Sequence, residues 1–323
     1  MAKKKLKIQA DSFPGIDAVC KIYNENKGLV HASNIITKVN NTTGSEKYRI
    51  RDGKLKRLVS AYWEYLKGQL ELVTEIVDYR QNVLSPDNKD LINGCIEKRV
   101  MLLNKYYDSF AEIGIEGDGD EFYDSRSKIR STILEEFMFL LFKEFVESLT
   151  QNGNKKVLKN GSTKAYSNLY FTAPDINDFV CEPSIQINTK NQDYAIYREV
   201  EIGLKGSHIK PQKAAIPILA IENKTYLDKT MLEGAIATAE KIKMGAPYSV
   251  FVVVTETYAV DNSVDPVYSR IDQIYVLRKC KEEDRSKNEV KVDVVQNMFW
   301  FVIERLMRPW SEVGEKVKKG FII

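Results

Sequence analysis

The chain has 323 residues, 43% of them hydrophobic and 29% charged, enough apolar material for one large core or two modest ones. Its net charge of only +3 excludes a global electrostatic preference for polyanions and leaves any such affinity to local basic patches. Only two histidines, His31 and His208, exclude multi-histidine metal centres. The four dispersed cysteines, without a CxxC pair, exclude zinc knuckles and a secreted disulfide scaffold.

Other machinery is missing as well. There is no GxSxG nucleophile elbow and no GxxxxGK[ST] phosphate loop. No run approaches the roughly 20 apolar residues that a membrane-spanning helix needs, and the cysteine usage fits a reducing cytoplasm. The chemistry must therefore run on carboxylates and lysines.

From about Asp11 to Asp108 the pattern is helical, with Leu55, Leu58, Val59, Tyr62 and Leu66 as one apolar stripe. Tyr48 to Arg51, with Lys54, Lys56 and Arg57 after them, put cations beside an aromatic, either as a phosphate-gripping surface or as a solvated helix face. This gives a helical region over 1–115, suited to DNA recognition or to dimerisation, then a glycine-acid linker around Glu116 to Glu121, then a second domain over 125–323. That domain opens on an amphipathic helix, Ser131 to Leu149, with Leu134, Phe137, Met138, Leu141 and Phe145 on one face. The stretch from Gln151 to Lys164 reads as a basic loop holding Lys155 and Lys156, followed by a short strand from Ala165 to Phe171.

A strand opening at Asp193 and a fully buried strand around Ile216 to Ile221 follow, with Pro217 tolerable only near the strand start. Thr230 and Glu233 have the spacing of a capping box for a helix that Gly245 and Pro247 stop. Strands from Ser249 to Thr255 and Ile271 to Leu277 and a helix from Val294 to Met307 complete the order, an α/β (mixed α+β) class with a mixed sheet flanked by helices.

The informative segment is Leu219-Ala-Ile-Glu-Asn-Lys-Thr-Tyr226. A strand has a side-chain period of two, so Glu222 and Lys224 project from one face at the end of a buried apolar run, where either charge alone is costly. Phosphodiester hydrolysis gives the pair a purpose: the carboxylate holds a divalent cation and the lysine orients or activates water and stabilises charge on the phosphorus oxygens. A second acid is then needed, and strand geometry favours Asp193 over Asp175 and Asp178, which sit among turn signals.

With these residues in order, the chain resembles the PD-(D/E)xK nuclease superfamily, whose core is a helix, a three-stranded meander, a second helix and a strand. Residues 221 to 235 look more closely like type II restriction endonucleases of the Bpu-ten-I group. The resemblance implies that Asp193 and Glu222 bind metal, that the carbonyl of Asn223 completes the metal shell, and that Lys224 is the catalytic lysine. It also implies that Glu136 is an additional acid from the preceding helix. The pattern departs at the first motif, where Gln192 stands in place of the proline.

The implied activity is Mg²⁺-dependent, sequence-specific hydrolysis of double-stranded DNA that leaves a 5′-phosphate, by a homodimer or a heterodimer with a related subunit. Tyr226, Lys229, Lys155 and Lys156 are the candidate DNA contacts. The competing readings are a repair or recombination nuclease of the same fold and a non-catalytic DNA-binding protein in which Glu222 and Lys224 form a structural ion pair.

Overall fold

The computed structural model describes residues 13–42, 52–72, 83–114, 129–150, 158–204, 210–308 and 313–320. The expected patch at Tyr48 to Arg51, the linker around Glu116, Lys155, Lys156 and His208 lie outside them.

Four helices come first: α1 (Ile16–Glu25), α2 (Val30–Thr42), α3 (Asp52–Glu71) and α4 (Pro86–Ile113). The predicted stripe of α3 is buried throughout, from Leu55 to Leu66. The second part consists of α5 (Ser131–Thr150), β1 (Leu158–Thr172), α6 (Ile176–Cys181), β2 (Ser184–Ile202), β3 (Gln212–Leu227), α7 (Lys229–Gly245), β4 (Val250–Tyr258), β5 (Gln273–Val276), α8 (Val292–Met307) and α9 (Val313–Lys318). The helix, meander, helix, strand order expected from the sequence is present. The meander strands are longer than expected: β1 begins at Leu158 and takes in residues expected to be loop, and β2 and β3 also begin earlier.

The five strands form one mixed sheet in the order β1-β2-β3-β4-β5. β1, β2 and β3 run antiparallel to their neighbours, whereas β3, β4 and β5 are parallel, with α7 crossing between β3 and β4. The centre of the sheet is buried on both faces, and side-chain alternation divides the core between them. Tyr194, Ile196, Leu219, Ile221, Val252 and Val254 face a cluster that includes α5, α8 and the four N-terminal helices. Ala220, Phe251 and Val253 instead meet Leu232, Ala235, Ala239 and Ile242 of α7.

On the first face Phe142 of α5 stacks between Tyr194 of the sheet (5.9 Å) and Phe299 of α8 (5.4 Å), so one ring ties three layers together. On the second, α7 ends against β1 so closely that a Cβ at Gly245 would lie 2.0 Å from the Ser167 carbonyl oxygen, a position only glycine can fill.

Glu136 corrects an expectation. Its carboxylate accepts from the Ala32 backbone N–H (2.9 Å) and from the Tyr62 hydroxyl (2.7 Å), fully buried. It thus caps the first turn of α2 from a distant helix, satisfying an amide with no partner inside its own helix. A fully buried carboxylate committed to these bonds is part of the joint between the N-terminal helices and α5. His31 beside it lies between Thr132 Oγ1 (3.0 Å) and the Tyr106 hydroxyl (2.7 Å), and burial pushes it down to about 3.

Candidate active site

Two irregularities in the strands shape the site. Between Gly161↔Ala195 and Thr163↔Gln192, Asp193 and Tyr194 of β2 oppose a single residue of β1. This is a β-bulge, which leaves an extra residue out of the ladder and re-aims its side chain. Asp193 is therefore within β2, which starts at Ser184 rather than at Asp193 as expected. On its other side, the β2–β3 ladder ends at Tyr194↔Ile221. Beyond that pair, Asp193 Oδ2 accepts a hydrogen bond from the Asn223 backbone N–H at 2.8 Å, so a carboxylate takes the place of the next ladder contact.

β3 continues past this point alongside β4, with Glu222↔Val253, Asn223↔Val254 and Lys224↔Thr255 in register. The stretch is held by β4 on one side and released by β2 on the other, which opens the corner where the charged side chains stand. Pro217 is accommodated upstream because the β2–β3 register shifts there, between Ile196↔Leu219 and Tyr197↔Pro217, where a missing N–H costs least.

Lys224 Nζ donates to Glu222 Oε1 at 2.6 Å, with side chains 25% and 18% exposed, so the period-two argument holds and the pair is partly desolvated. Burial, reinforced by the Asp193 carboxylate, pushes the Glu222 carboxyl above its ordinary range despite the pull of Lys224. Burial pulls the Lys224 ammonium down, but Glu222 outweighs it, with Asp193 and Glu135 adding to the same effect, and Lys224 is held above its ordinary range. Asn223 alternates with these two residues and is 6% exposed; its amide Oδ1 and Nδ2 have no hydrogen-bond partner among the described residues.

The corner thus gathers more negative than positive charge. Asp193, Glu222 and Lys224 come together as expected, and Asp175 and Asp178 do not join them. Asp175 caps α6, its Oδ1 accepting from the backbone N–H groups of Asn177 (2.8 Å) and Asp178 (2.9 Å). The α5 acid whose charge reaches Lys224 is Glu135, one position before the expected Glu136. Among residues 132–142 of α5 it alone is not buried, which is the physical sign that it faces something other than core.

Tyr226 and Lys229 are exposed where β3 gives way to α7. α7 is capped by Asp228, whose Oδ1 accepts from Met231 N–H at 2.7 Å, rather than by the expected Thr230 and Glu233 box. Among the described residues no three His, Cys, Asp or Glu side chains gather as a metal cluster. Two carboxylates beside a backbone carbonyl nevertheless make an all-oxygen donor set, suited to a hard cation that keeps part of its water shell.

A family model described as the Bpu10I restriction endonuclease matches residues 126–298. No curated protein matches the chain. Among solved structures, one described as the native BbvCI A2B2 tetramer at low resolution aligns with a TM-score of 0.63 at 19% identity, covering 88% of this chain and 99% of that one. That likeness extends the shared fold through the N-terminal helices, beyond the family match. The family match spans more than half of the sequence and includes α5, the meander, α7 and the whole candidate site, and the chain therefore belongs to the Bpu10I restriction endonuclease family of type II restriction enzymes.

Proposed function

We propose that the chain hydrolyses phosphodiester bonds of double-stranded DNA in a sequence-specific manner, with Asp193, Glu222 and Lys224 as its catalytic centre and Mg²⁺ as its cofactor. The observation that carries this reading is the Asp193–Glu222 pair: two carboxylates brought together at a partly buried strand end, with one ammonium bonded to Glu222. Such an excess of negative charge is stabilised by a divalent cation, which Asp193, Glu222 and the Asn223 carbonyl would hold. Mg²⁺ suits one or two carboxylates completed by water and substrate phosphate oxygens. When bound, the cation supplies Lewis-acid stabilisation of charge developing on the phosphate.

The remaining work falls to the protein. Glu222 fixes the Lys224 ammonium in place, and Lys224 stays protonated at neutral pH, so it orients the attacking water and stabilises phosphate charge as a donor rather than serving as a base. Glu135 adds a further acid toward Lys224. Tyr226 and Lys229, exposed just beyond Lys224, contact the DNA backbone, as do Lys155 and Lys156. One catalytic centre per chain calls for a second subunit, identical or related, to cut the second strand. The four unpaired cysteines suit a reducing cytoplasm, and the described helices include none long and apolar enough to cross a membrane.

Incubating the purified chain with plasmid and Mg²⁺, with Glu222→Ala and Lys224→Ala in parallel, tests the reading. Cleavage at discrete positions is expected for the wild type, with a loss of about 10²–10³-fold in each variant and retained duplex binding. Cleavage that survives both substitutions would overturn the assignment, and cutting that follows DNA structure instead of sequence would make the enzyme a repair nuclease.

A further inference from the structure

The β1 side of the bulge that carries Asp193 meets the N-terminal helices. The β1 residue opposite Asp193 and Tyr194 is Ser162, and the pair next to the bulge is Gly161↔Ala195. Gly161 is buried and has φ +126°, a conformation that side-chain-bearing residues adopt only under strain. A Cβ built on it would lie 3.6 Å from the Cα of Gly28, so the two backbones pass with no side chain between them.

Gly28 belongs to the tight corner between α1 and α2, where the Leu29 N–H donates to the Asn26 carbonyl (3.1 Å) and the Val30 N–H to the Gly28 carbonyl (3.0 Å). The corner is seated on α5. A Cβ at Gly28 would fall 2.2 Å from the Phe139 ring, which is buried, and Leu29 beside it is buried too. Just beyond, His31 and the Ala32 N–H bond to Thr132 and Glu136 of the same helix. The corner is thus fixed to α5 at three points, and Gly161 of β1 rests against it. Tyr194, the second residue of the bulge, stacks with Phe142 of α5. Both strands of the bulge are therefore referred to one helix, β2 through Tyr194 and β1 through Gly28. Between these grips Asp193 is left out of the ladder and its carboxylate reaches the Asn223 N–H. A bulge aims a side chain only as firmly as the packing around it holds the two strands.

We propose that the α1–α2 corner is a positioning element of the candidate active site: Gly28, seated on Phe139, holds β1 at Gly161 and so fixes the bulge that aims Asp193. These residues touch neither substrate nor cation; they act through Asp193. The boundary expected between a helical region over 1–115 and a nuclease domain over 125–323 then cuts through the support of the site itself. The coupling stands on geometry, whereas its consequence for cation binding rests on the functional reading above.

Hydrogen exchange followed by NMR on the full chain, without DNA and without divalent cations, reads the coupling at the Asn223 amide, which donates to Asp193. Mn²⁺ alone, titrated by electron paramagnetic resonance, reads the consequence. Gly28→Ala should raise Asn223 exchange about tenfold relative to the other amides of β3 and weaken Mn²⁺ binding about tenfold, as loss of a group that orients a metal ligand does. Phe139→Ala removes the seat without adding a clash and should act in the same direction. In its background Gly28→Ala should have no further effect, because the ring it collides with is gone. Leu103→Ala, at a buried position of α4, opens a cavity in the same group of helices and should lower stability with both readouts unchanged.

Asn223 exchange in Gly28→Ala equal to that of the wild type would overturn the proposal. So would exchange that quickens across all of β3 alike, a Gly28→Ala effect that persists without the Phe139 ring, or Leu103→Ala matching Gly28→Ala in both readouts. Should Gly28→Ala fail to fold, Phe139→Ala decides, and unchanged Asn223 exchange there would overturn the proposal. Quickened Asn223 exchange with Mn²⁺ bound as tightly as before leaves the coupling standing and removes Asp193 from the cation site, which concerns the functional reading alone.

Discussion

Two carboxylates on neighbouring strands, the partly buried Glu222 of β3 and the fully buried Glu256 of β4, meet opposite fates. Glu256 is fully buried and contacts Arg278 (3.0 Å), Arg285 (3.0 Å) and Arg130 (3.5 Å), two of which also lie over the Tyr107 ring. Burial alone would push its carboxyl up, but the Arg130, Arg285 and Arg278 guanidiniums outweigh it and hold the carboxyl below its ordinary range. Glu222 has one lysine and a competing acid, and its carboxyl is pushed up. A carboxylate neutralised by fixed cations of the protein is structural; one left with surplus negative charge at an open corner is ready for a cation from solution. Glu136 is a third case, buried with hydrogen-bond donors but no ion-pair partner among the described residues, and its carboxyl is pushed up by burial to about 7.

The largest effect that separates these roles is on stability. Glu256→Ala leaves three arginines without their shared counter-ion, and breaking a buried ion pair from one side costs about 3–5 kcal/mol. Chemical denaturation should show this loss, while divalent-cation affinity of the folded protein is unchanged. A fall in cation affinity instead would merge the two regions into one site.

The next effect is pH-dependent. Glu136 holds its proton to about 7 in the folded protein against an ordinary value of 4.5, so its contribution is fully present below about 4.5 and is lost as pH rises through about 7. The shift corresponds to about 3 kcal/mol. His31 works in the other direction, since it is held neutral down to about 3 and its contribution is lost as pH falls from 6.5 toward that value. The difference in unfolding free energy between the wild type and Glu136→Gln, followed from pH 4 to 8, isolates the first slope. A difference that does not change with pH would show that Glu136 is not a buried, titrating group.

The smallest effect belongs to the DNA-facing rim. Lys229→Ala should weaken duplex binding a few-fold for all sequences alike and reduce the salt dependence of binding by about one phosphate contact. Filter binding at several salt concentrations measures this, and an unchanged salt slope would remove Lys229 from the interface.

How much of this was legible in the sequence differed by element. Glu222 and Lys224 could be read because a period of two and a buried apolar run are local properties. Asp193 could be assigned to a strand, but the bulge that aims it depends on the pairing of Gly161 and Thr163 with β2, a register no local pattern carries. The sequence did not single out Glu135, because α5 is buried almost all round and its apolar stripe does not say which way each acid faces. The capping residue was misplaced for a similar reason: Asp228 and Thr230 can both cap a helix, and the chain enters α7 two residues earlier than the Thr230 spacing suggests. The joint between Glu136 and α2 links residues 104 positions apart and left no trace in either segment.

The most direct test of the central claim compares the acids that the sequence offered for the site. Asp193→Asn, Glu222→Gln and Asp175→Asn should be assayed for nicking or cutting of supercoiled duplex DNA with Mg²⁺, beside wild type with Mg²⁺ and with EDTA. The account predicts that Asp193→Asn and Glu222→Gln bind duplex without cutting it, that Asp175→Asn cuts like the wild type, and that EDTA abolishes cutting. Cleavage by Asp193→Asn at the wild-type rate, or by the wild type in EDTA, would contradict it.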